Sequence, residues 1–395
     1  MSEEFKRKLQ DYADGKLADA DREEVEREIE KMEVYQTYLE EHVAKGSTSI
    51  HEQNVVRSDP PIREKRIIRR GKWKARLTNT LTVLLILLAV TIVSSISTGL
   101  FYGRGEPNRM EIYRDVVSTT VALTRPNVEV HLNGQMNLFF TMDLSGKLQK
   151  KIGDAQSVIG DFAIPFLWAQ PGLVTTTLNE SSSNGSGHFY NPNIKGLESE
   201  RHMGSGDWGM LEKLPEGTVA EVFLSFDRLF TTDELLKLFE NKNMIPTWFA
   251  ADTGPEKTPD DSGVVFNPVG FPYFPIWHYD DMNTRSSTEV KRGLLGKTVT
   301  SVSASPGIDA YGDGEIRNEN FMKSLHLLQE HKSVAKKIAP FLKIDEVITY
   351  LEENGVKLYG AVITGPTKEL LQLRQEAWVK EMVLGEVRLW NWHDR

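Results

Sequence analysis

The sequence contains no cysteine. That absence removes disulfides, zinc ribbons, cysteine nucleophiles and thiol redox sensing from its chemistry. His-Glu-x-x-His and Gly-x-Ser-x-Gly are missing as well, so neither the common metalloprotease helix nor the hydrolase elbow is present. Gly204-Ser-Gly-Asp207 has no strand before it and reads as a turn. Asp309-Ala-Tyr-Gly-Asp313-Gly-Glu315 has the look of a calcium loop, but Tyr311 and Asn320 stand at its third and twelfth positions, where ligands are needed. Its acids are expected in a turn before a helix over 319–337. His326 and His331 are five apart and fall on different faces of a helix. The expectation is no catalytic set, no metal site and no cofactor.

Charge is missing from one stretch altogether. Between Arg76 and Arg104 no charged residue occurs, and Leu77–Tyr102 is mostly apolar. A helix of that length spans about 35–40 Å, enough for a hydrocarbon core of about 30 Å with some tilt. In lipid only a helix satisfies its own backbone within one such segment. Some 75 mostly polar residues precede it, which a cleavable signal peptide does not have. Upstream stand Arg69, Arg70, Lys72, Lys74 and Arg76, with Arg63, Lys65 and Arg66 before them; downstream the charges are mixed. Basic residues are retained in the cytoplasm, so the N-terminus is expected inside and the C-terminus outside. Trp73 and Phe101-Tyr102 suit the two interfaces, and the basic run suits the head groups of membrane lipids. Acidic and basic residues balance before Leu77, so the net charge of −9 lies beyond the helix, against direct nucleic-acid binding there.

The segment 1–46 is acidic. Phe5, Leu9 and Tyr12 recur at i, i+4, i+7, one apolar face of a short helix that Gly15 ends. Leu17 covers the junction. A second helix is expected with Asp21 as cap and Glu24 at N3. Val25, Ile29, Met32, Leu39 and Val43 form its stripe, flanked by Tyr35 and Tyr38. Two such helices bury their apolar faces poorly against each other alone. They suit either an oligomerising tail or a helix pair that folds against a basic, partly apolar partner. A tether over 46–62, with Asp59-Pro60-Pro61, follows.

Phe5-Lys-Arg-Lys-Leu9-Gln-Asp-Tyr12-Ala-Asp-Gly15-Lys-Leu17, with the Glu-rich helix after it, resembles the start of membrane-anchored anti-sigma factors. Many of those carry a His…Cys-x-x-Cys zinc site on the second helix; this chain has no cysteine and is similar to the zinc-free branch. With the membrane helix and an outer α/β region, the arrangement resembles the sigma factor regulators of Gram-positive bacteria, of the type that restrains sigma-M. The resemblance implies that residues 1–46 hold an extracytoplasmic-function sigma factor away from core RNA polymerase and release it on a cell-envelope signal. Its binding residues would be Phe5, Leu9, Tyr12, Leu17, Val25, Ile29, Met32 and Leu39. Release would need a protease, a second membrane regulator or a conformational relay; one helix is a poor relay, which favours the first two.

Beyond Arg104, strands are expected at 128–132, 136–142, 218–226, 245–250, 356–363 and 382–390. Helices are expected at 232–239, 344–351 and 367–376. Residues 179–207, rich in Ser, Gly and Asn, read as a surface loop, and the sequons at Asn179 and Asn184 are of the kind such loops produce by chance. Asp233-Glu-Leu-Leu and Thr253-Gly-Pro match Asp345-Glu-Val-Ile and Thr364-Gly-Pro at a nearly constant offset, the mark of a repeat. Phe271-Pro-Tyr-Phe-Pro-Ile-Trp-His278 is the densest aromatic stretch, expected to be core or edge packing, with a recognition surface as the other reading.

The expected molecule is a single-pass membrane protein with a small all-α cytoplasmic domain (1–46). A polar linker and basic run (47–76) and one transmembrane helix (77–102) follow. The extracytoplasmic part is α/β (α+β) with a duplicated β-α-β unit, divided into a membrane-proximal region (103–210) and a C-terminal regulator domain (211–395). Its rivals are a membrane-anchored extracytoplasmic binding or scaffold protein with an oligomerising cytoplasmic tail, and an extracytoplasmic enzyme.

Overall fold

Two compact units make up the chain, residues 1–83 and residues 84–395. The computed structural model describes residues 10–12, 19–46, 62–179, 187–193, 207–254, 263–293 and 296–390. In the first unit, residues 10–12 are helical and helix α1 runs over Asp19–Gly46. Asp21 therefore lies inside the first turn of α1 and is not its cap. The acid is still well placed, because the first N–H groups of a helix are unpaired and partly positive. Helix α2, Ile62–Gly103, starts directly after the Pro60-Pro61 pair and continues for 42 residues. The basic run and the apolar stretch thus form one unbroken helix that begins in the first unit and ends in the second. Among the described residues it is the one helix long and apolar enough to cross a membrane, and its apolar window is almost wholly exposed. A core helix of a soluble domain would be mostly covered. The layout is single-pass, with helices before the span and a sheet-rich domain after it.

The second unit is organised around helix α3, Arg109–Thr124. Asn108 and Glu111 close a reciprocal capping box at its start, which satisfies two orphan N–H groups. Val116, Val117, Thr119, Thr120, Val121 and Leu123 are all buried, so the second half of α3 is covered nearly all round. That explains why amphipathic periodicity did not reveal it: a half-helix buried on every side carries no polar stripe.

On one side of α3 lies an antiparallel sheet of β1 (Val128–Met136), β2 (Thr141–Ile152), β3 (Ala155–Leu167), β4 (Gln170–Pro171) and β5 (Thr175–Leu178). The expected strand at 136–142 is instead the β1–β2 turn: Phe139 and Phe140 both have positive φ, and Met136 pairs with Met142 across it. β6 (Phe189–Tyr190) and α4 (Trp208–Glu212) lead to the second sheet. Its strands are β7 (Thr218–Phe230), then after α5 (Thr232–Leu238) β8 (Ile245–Ala251), and after β9 (Val264–Val265) β10 (Gly270–Pro272). A hairpin of β11 (Asn283–Gly293) and β12 (Gly296–Ala304) follows, then helices α6 (Gly314–Glu330), α7 (Lys332–Ile338) and α8 (Ile344–Asn354). The last sheet elements are β13 (Leu358–Pro366) and, after α9 (Thr367–Leu370), β14 (Val379–Leu389). The expected single helix over 319–337 is two, divided at His331, whose backbone leaves the helical region. The helix expected over 367–376 is one α turn followed by a 3-10 segment, Leu371–Gln375.

The strand order is β10-β8-β13-β7-β14, and every neighbouring pair is antiparallel. β7 and β8 therefore run parallel with β13 between them, and β13 and β14 run parallel with β7 between them. Two split β-helix-β crossovers interlock. The second repeat seen in the sequence corresponds to α8 and β13. Its helix is preceded by α6 and α7, not by a strand of this sheet, so this copy is helix–strand only.

One hydrophobic core runs from Tyr102 through α3 and both sheets to Met382. The sheets are also tied by charge. Glu221 on β7 is fully buried and accepts from Lys150 Nζ on β2 at 2.9 Å and Asn127 Nδ2 at 2.8 Å. Trp248 Nε1 on β8 donates to the Ala122 carbonyl of α3 at 2.7 Å.

Candidate functional site

The N-terminal helices are the first candidate. Tyr12 Oη donates to Glu26 Oε1 at 3.0 Å, and the Arg22 guanidinium lies 5.9 Å from the Tyr12 ring centre. Arg22 also bonds Glu26 at 3.1 Å. These contacts set the first helical segment beside the first third of α1, where Val25 is fully buried and Ile29 is half-buried. Farther along α1 the apolar side chains are uncovered: Met32 is 40% and Leu39 50% exposed, and Val34, Tyr35 and Tyr38 more so. Of the eight residues named for partner binding, Tyr12 reaches α1 at Glu26, Val25 is buried and Ile29 half-buried, and Met32 and Leu39 are exposed. Phe5, Leu9 and Leu17 lie outside the described residues. The Arg22 guanidinium, and after it the Tyr12 hydroxyl, hold the Glu26 carboxyl below its usual range.

Arg69, Arg70, Lys72, Lys74 and Arg76 are all exposed on α2. They precede the apolar window directly on the same helix.

The far end of α2 holds a feature that the sequence reading passed over. Ser94 and Thr98 are buried in an otherwise lipid-like helix, and Tyr102 follows on the same face. Ser94 Oγ accepts from the Phe139 amide at 2.6 Å, and Thr98 Oγ1 from the Phe140 amide at 2.9 Å. Tyr102 Oη donates to the Phe140 carbonyl at 3.0 Å. The signal was present: hydroxyl residues at 94, 98 and 102 recur at helical spacing, and such residues in an apolar helix seek a hydrogen-bonding neighbour.

The aromatic stretch packs as core at its start, while Phe274 is exposed. Phe271 and Tyr273 are buried, and Phe271 lies 4.8 Å from the Phe321 ring centre. The acid-rich loop before α6 wraps a cation of the chain itself. Arg317, buried, donates through Nε to the Tyr273 carbonyl and through Nη2 to the Asp309 carbonyl, and it also bonds the Gly312 carbonyl. That guanidinium takes up the carbonyls a metal would need.

His278, Asp280 and Asp281 lie close enough together to suggest a metal site. The Lys323 ammonium already lies 2.7 Å from Asp280 and 2.5 Å from Asp281 and neutralises it. Thr119 Oγ1 is 3.0 Å from His278 Nε2, and Asp281 is 3.6 Å from Nδ1, the order of a hydroxyl–imidazole–carboxylate relay. Thr119 is fully buried, however, so no substrate atom reaches its hydroxyl, and 3.6 Å is too long for a hydrogen bond. The group is a joint between α3 and the segment before β11. A cleft of about 370 Å³ between the sheets is lined by Arg125, Lys150, Thr176, Phe223 and Phe266 among others. Lys150 there is held by Glu221, and Arg125, whose guanidinium burial pulls downward, stands over Phe162.

Burial holds the His278 imidazole below its ordinary value of 6.5, against the pull of Asp115 and Asp281. In the window between that lowered value and 6.5 the unfolded chain binds the extra proton, so stability falls on acidification. Asp115, pushed up by burial, acts in the opposite sense. Melting the protein in micelles across this range should show Tm falling with pH, more steeply in Asp115→Asn and less in His278→Gln. An equal slope in all three would remove the histidine from the account.

The family model described as sigma factor regulator N-terminal matches residues 65–157, and that described as sigma factor regulator C-terminal matches residues 211–386. The probable anti-sigma-M factor YhdL of Bacillus subtilis (strain 168) is 28% identical over 399 residues, which cover 99% of this chain and 100% of that protein. No solved structure matches the chain.

Proposed function

The chain belongs to the sigma factor regulator family, and from that premise we infer that it is an anti-sigma factor: it sequesters a sigma factor at the membrane and so holds down transcription. The observation that carries the reading is the uncovered apolar side of α1, Met32 and Leu39 with Tyr35 and Tyr38, in a helical unit joined to a single membrane helix. Exposed apolar side chains on an acidic helix are what a partner with a basic, partly apolar surface would cover. The chain's whole-length likeness to an anti-sigma-M factor supports the same role. The two family models begin after α1, so the partner-binding segment rests on that relative and on the helix itself.

The partner is an extracytoplasmic-function sigma factor. Tyr12, Val25 and Ile29 order the helix pair, and Met32 and Leu39 extend the contact surface, with Phe5, Leu9 and Leu17 completing it. The N-terminus is cytoplasmic, positioned by Arg69, Arg70, Lys72, Lys74 and Arg76, which also meet membrane lipids. The C-terminal domain lies outside, receives a cell-envelope signal and acts by binding rather than by catalysis. Release passes through a protease, a second membrane regulator or a movement of the domain. The matching segments at 233–255 and 345–366 are the trace of a duplicated helix–strand piece.

Co-purification with residues 1–76 at physiological salt tests the core of this. A sigma factor is the expected companion. Recovery of the fragment alone, or only of its own oligomers, would instead favour a scaffold with an oligomerising tail.

A further inference from the structure

We propose that the second compact unit is seated in the membrane leaflet it faces, with the β1–β2 and β3–β4 hairpin tips inserted among the lipid acyl chains beside α2. The occupant of this surface is lipid, and the inserted side chains are Leu138, Phe139, Leu167 and Trp168.

Height is the first argument. The Phe139 amide is bonded to Ser94, and Ser94 lies eight residues, about 12 Å, below Tyr102 along the helix axis. Counted from Leu77, a hydrocarbon core of about 30 Å takes about 20 residues of upright helix, which reaches past Ser94. The hairpin tip is therefore level with the spanning segment, not above it. At this height α2 still shows apolar side chains on its open face: Val93, Ile96 and Leu100 are all well exposed. Phe139, 56% exposed, and Trp168, 55% exposed, continue that apolar surface away from the helix.

Polar accounting is the second. A turn lowered into lipid needs partners for its backbone groups. Here the Phe139 and Phe140 amides go to Ser94 and Thr98, and the Phe140 carbonyl accepts from Tyr102 Oη and from the Trp168 amide at 3.1 Å. The hydroxyl face of α2 thus supplies the partners that water would give to an exposed turn.

The side chains at the turns are the third. Phe139, Phe140, Trp168 and Ala169 all have φ between +49° and +65°. Two-residue turns of this hand favour Asn-Gly or Asp-Gly, and bulky residues are disfavoured there. Three aromatic residues occupy these positions nonetheless. Phe140 and Trp168 stack at 3.7 Å between ring centres, with Phe101 near both. This joins the two tips and α2 into one aromatic group, of the residue types that anchor proteins at membrane interfaces.

The inference rests on reading α2 as membrane-spanning, and the experiment separates the two. The chain has no cysteine, so single cysteines label cleanly. Val90→Cys, Phe139→Cys, Leu167→Cys and Leu389→Cys in the full chain are spin-labelled in phosphatidylcholine–phosphatidylglycerol vesicles. Collision rates with oxygen and with a water-soluble nickel chelate are then compared. The labels at 90, 139 and 167 should show an oxygen-to-nickel ratio several-fold above that at 389. As a check without a turn substitution, brominated acyl chains should quench the fluorescence component that Trp168→Phe removes. A high ratio at 90 with water-like ratios at 139 and 167, and no quenching of Trp168, would overturn the proposal while leaving the span intact. Protection of 139 and 167 from both reagents would overturn it in favour of a protein partner or a second copy. A water-like ratio at 90 would remove the span itself.

Discussion

Replacing Ile29 by Asp should weaken sigma-factor binding by at least about 30-fold, the equivalent of a contact worth about 2 kcal/mol at the centre of an interface. Ile29 is half-buried one turn after the fully buried Val25. A carboxylate there is stripped of water both when the helix pair closes and when a partner covers it. The chain should still enter the membrane, because the substitution lies far from the charge step at Arg69–Arg76. In cells, promoters read by the released sigma factor should rise to the level seen when residues 1–46 are removed. Leu39→Asp separates partner contact from helix pairing. It introduces the same charge at an exposed position, away from the Tyr12–Glu26 contact. Equal loss of binding in both variants places the interface along α1. Loss in Ile29→Asp alone confines it to the paired end, and unchanged binding in both would refute the stripe.

Lys150→Met should destabilise the C-terminal unit by about 3–5 kcal/mol, as expected when one member of a buried ion pair is removed. Glu221 keeps no side-chain exposure, and its partners are Lys150, Asn127 and the Glu386 amide. Without the ammonium its carboxylate stays in the core with two neutral donors. Lys150→Met combined with Glu221→Leu removes both charges and should recover a large part of the loss. Denaturant unfolding of the full chain in micelles, followed by tryptophan fluorescence, reads both. Because Lys150 and Glu221 belong to different sheets, the single variant should also loosen one against the other. A loss near zero for Lys150→Met would mean that water reaches Glu221.

The parts legible in the sequence were those with a strong local signal. The span was marked by its missing charges, helix α1 by its period, and β7, β8, β13 and β14 by short apolar runs bounded by Gly or Pro. α3 escaped because burial of its second half on all sides erased the polar stripe that marks a helix. The β1–β2 turn was misread as a strand because Phe139 and Phe140 are strand formers, and the partners that hold the turn, Ser94, Thr98, Tyr102 and Trp168, are distant in sequence. Asp21 looked like a cap because its neighbours fit the capping box, yet the helix had already begun at Asp19. The seat of Arg317 depends on carbonyls up to 44 residues away, which no local pattern encodes.

The three hydroxyl contacts at Ser94, Thr98 and Tyr102 also give α2 the mechanics of a lever. A helix held at one point can swivel without disturbing its domain, but one pinned over two turns must follow it. If the first sheet tilts by about 10° about Ser94, a point 25 residues down the helix, near Arg69, is displaced sideways by about 6–7 Å at 1.5 Å of rise per residue. That is more than half a helix diameter, reached without cutting a bond or unwinding a turn.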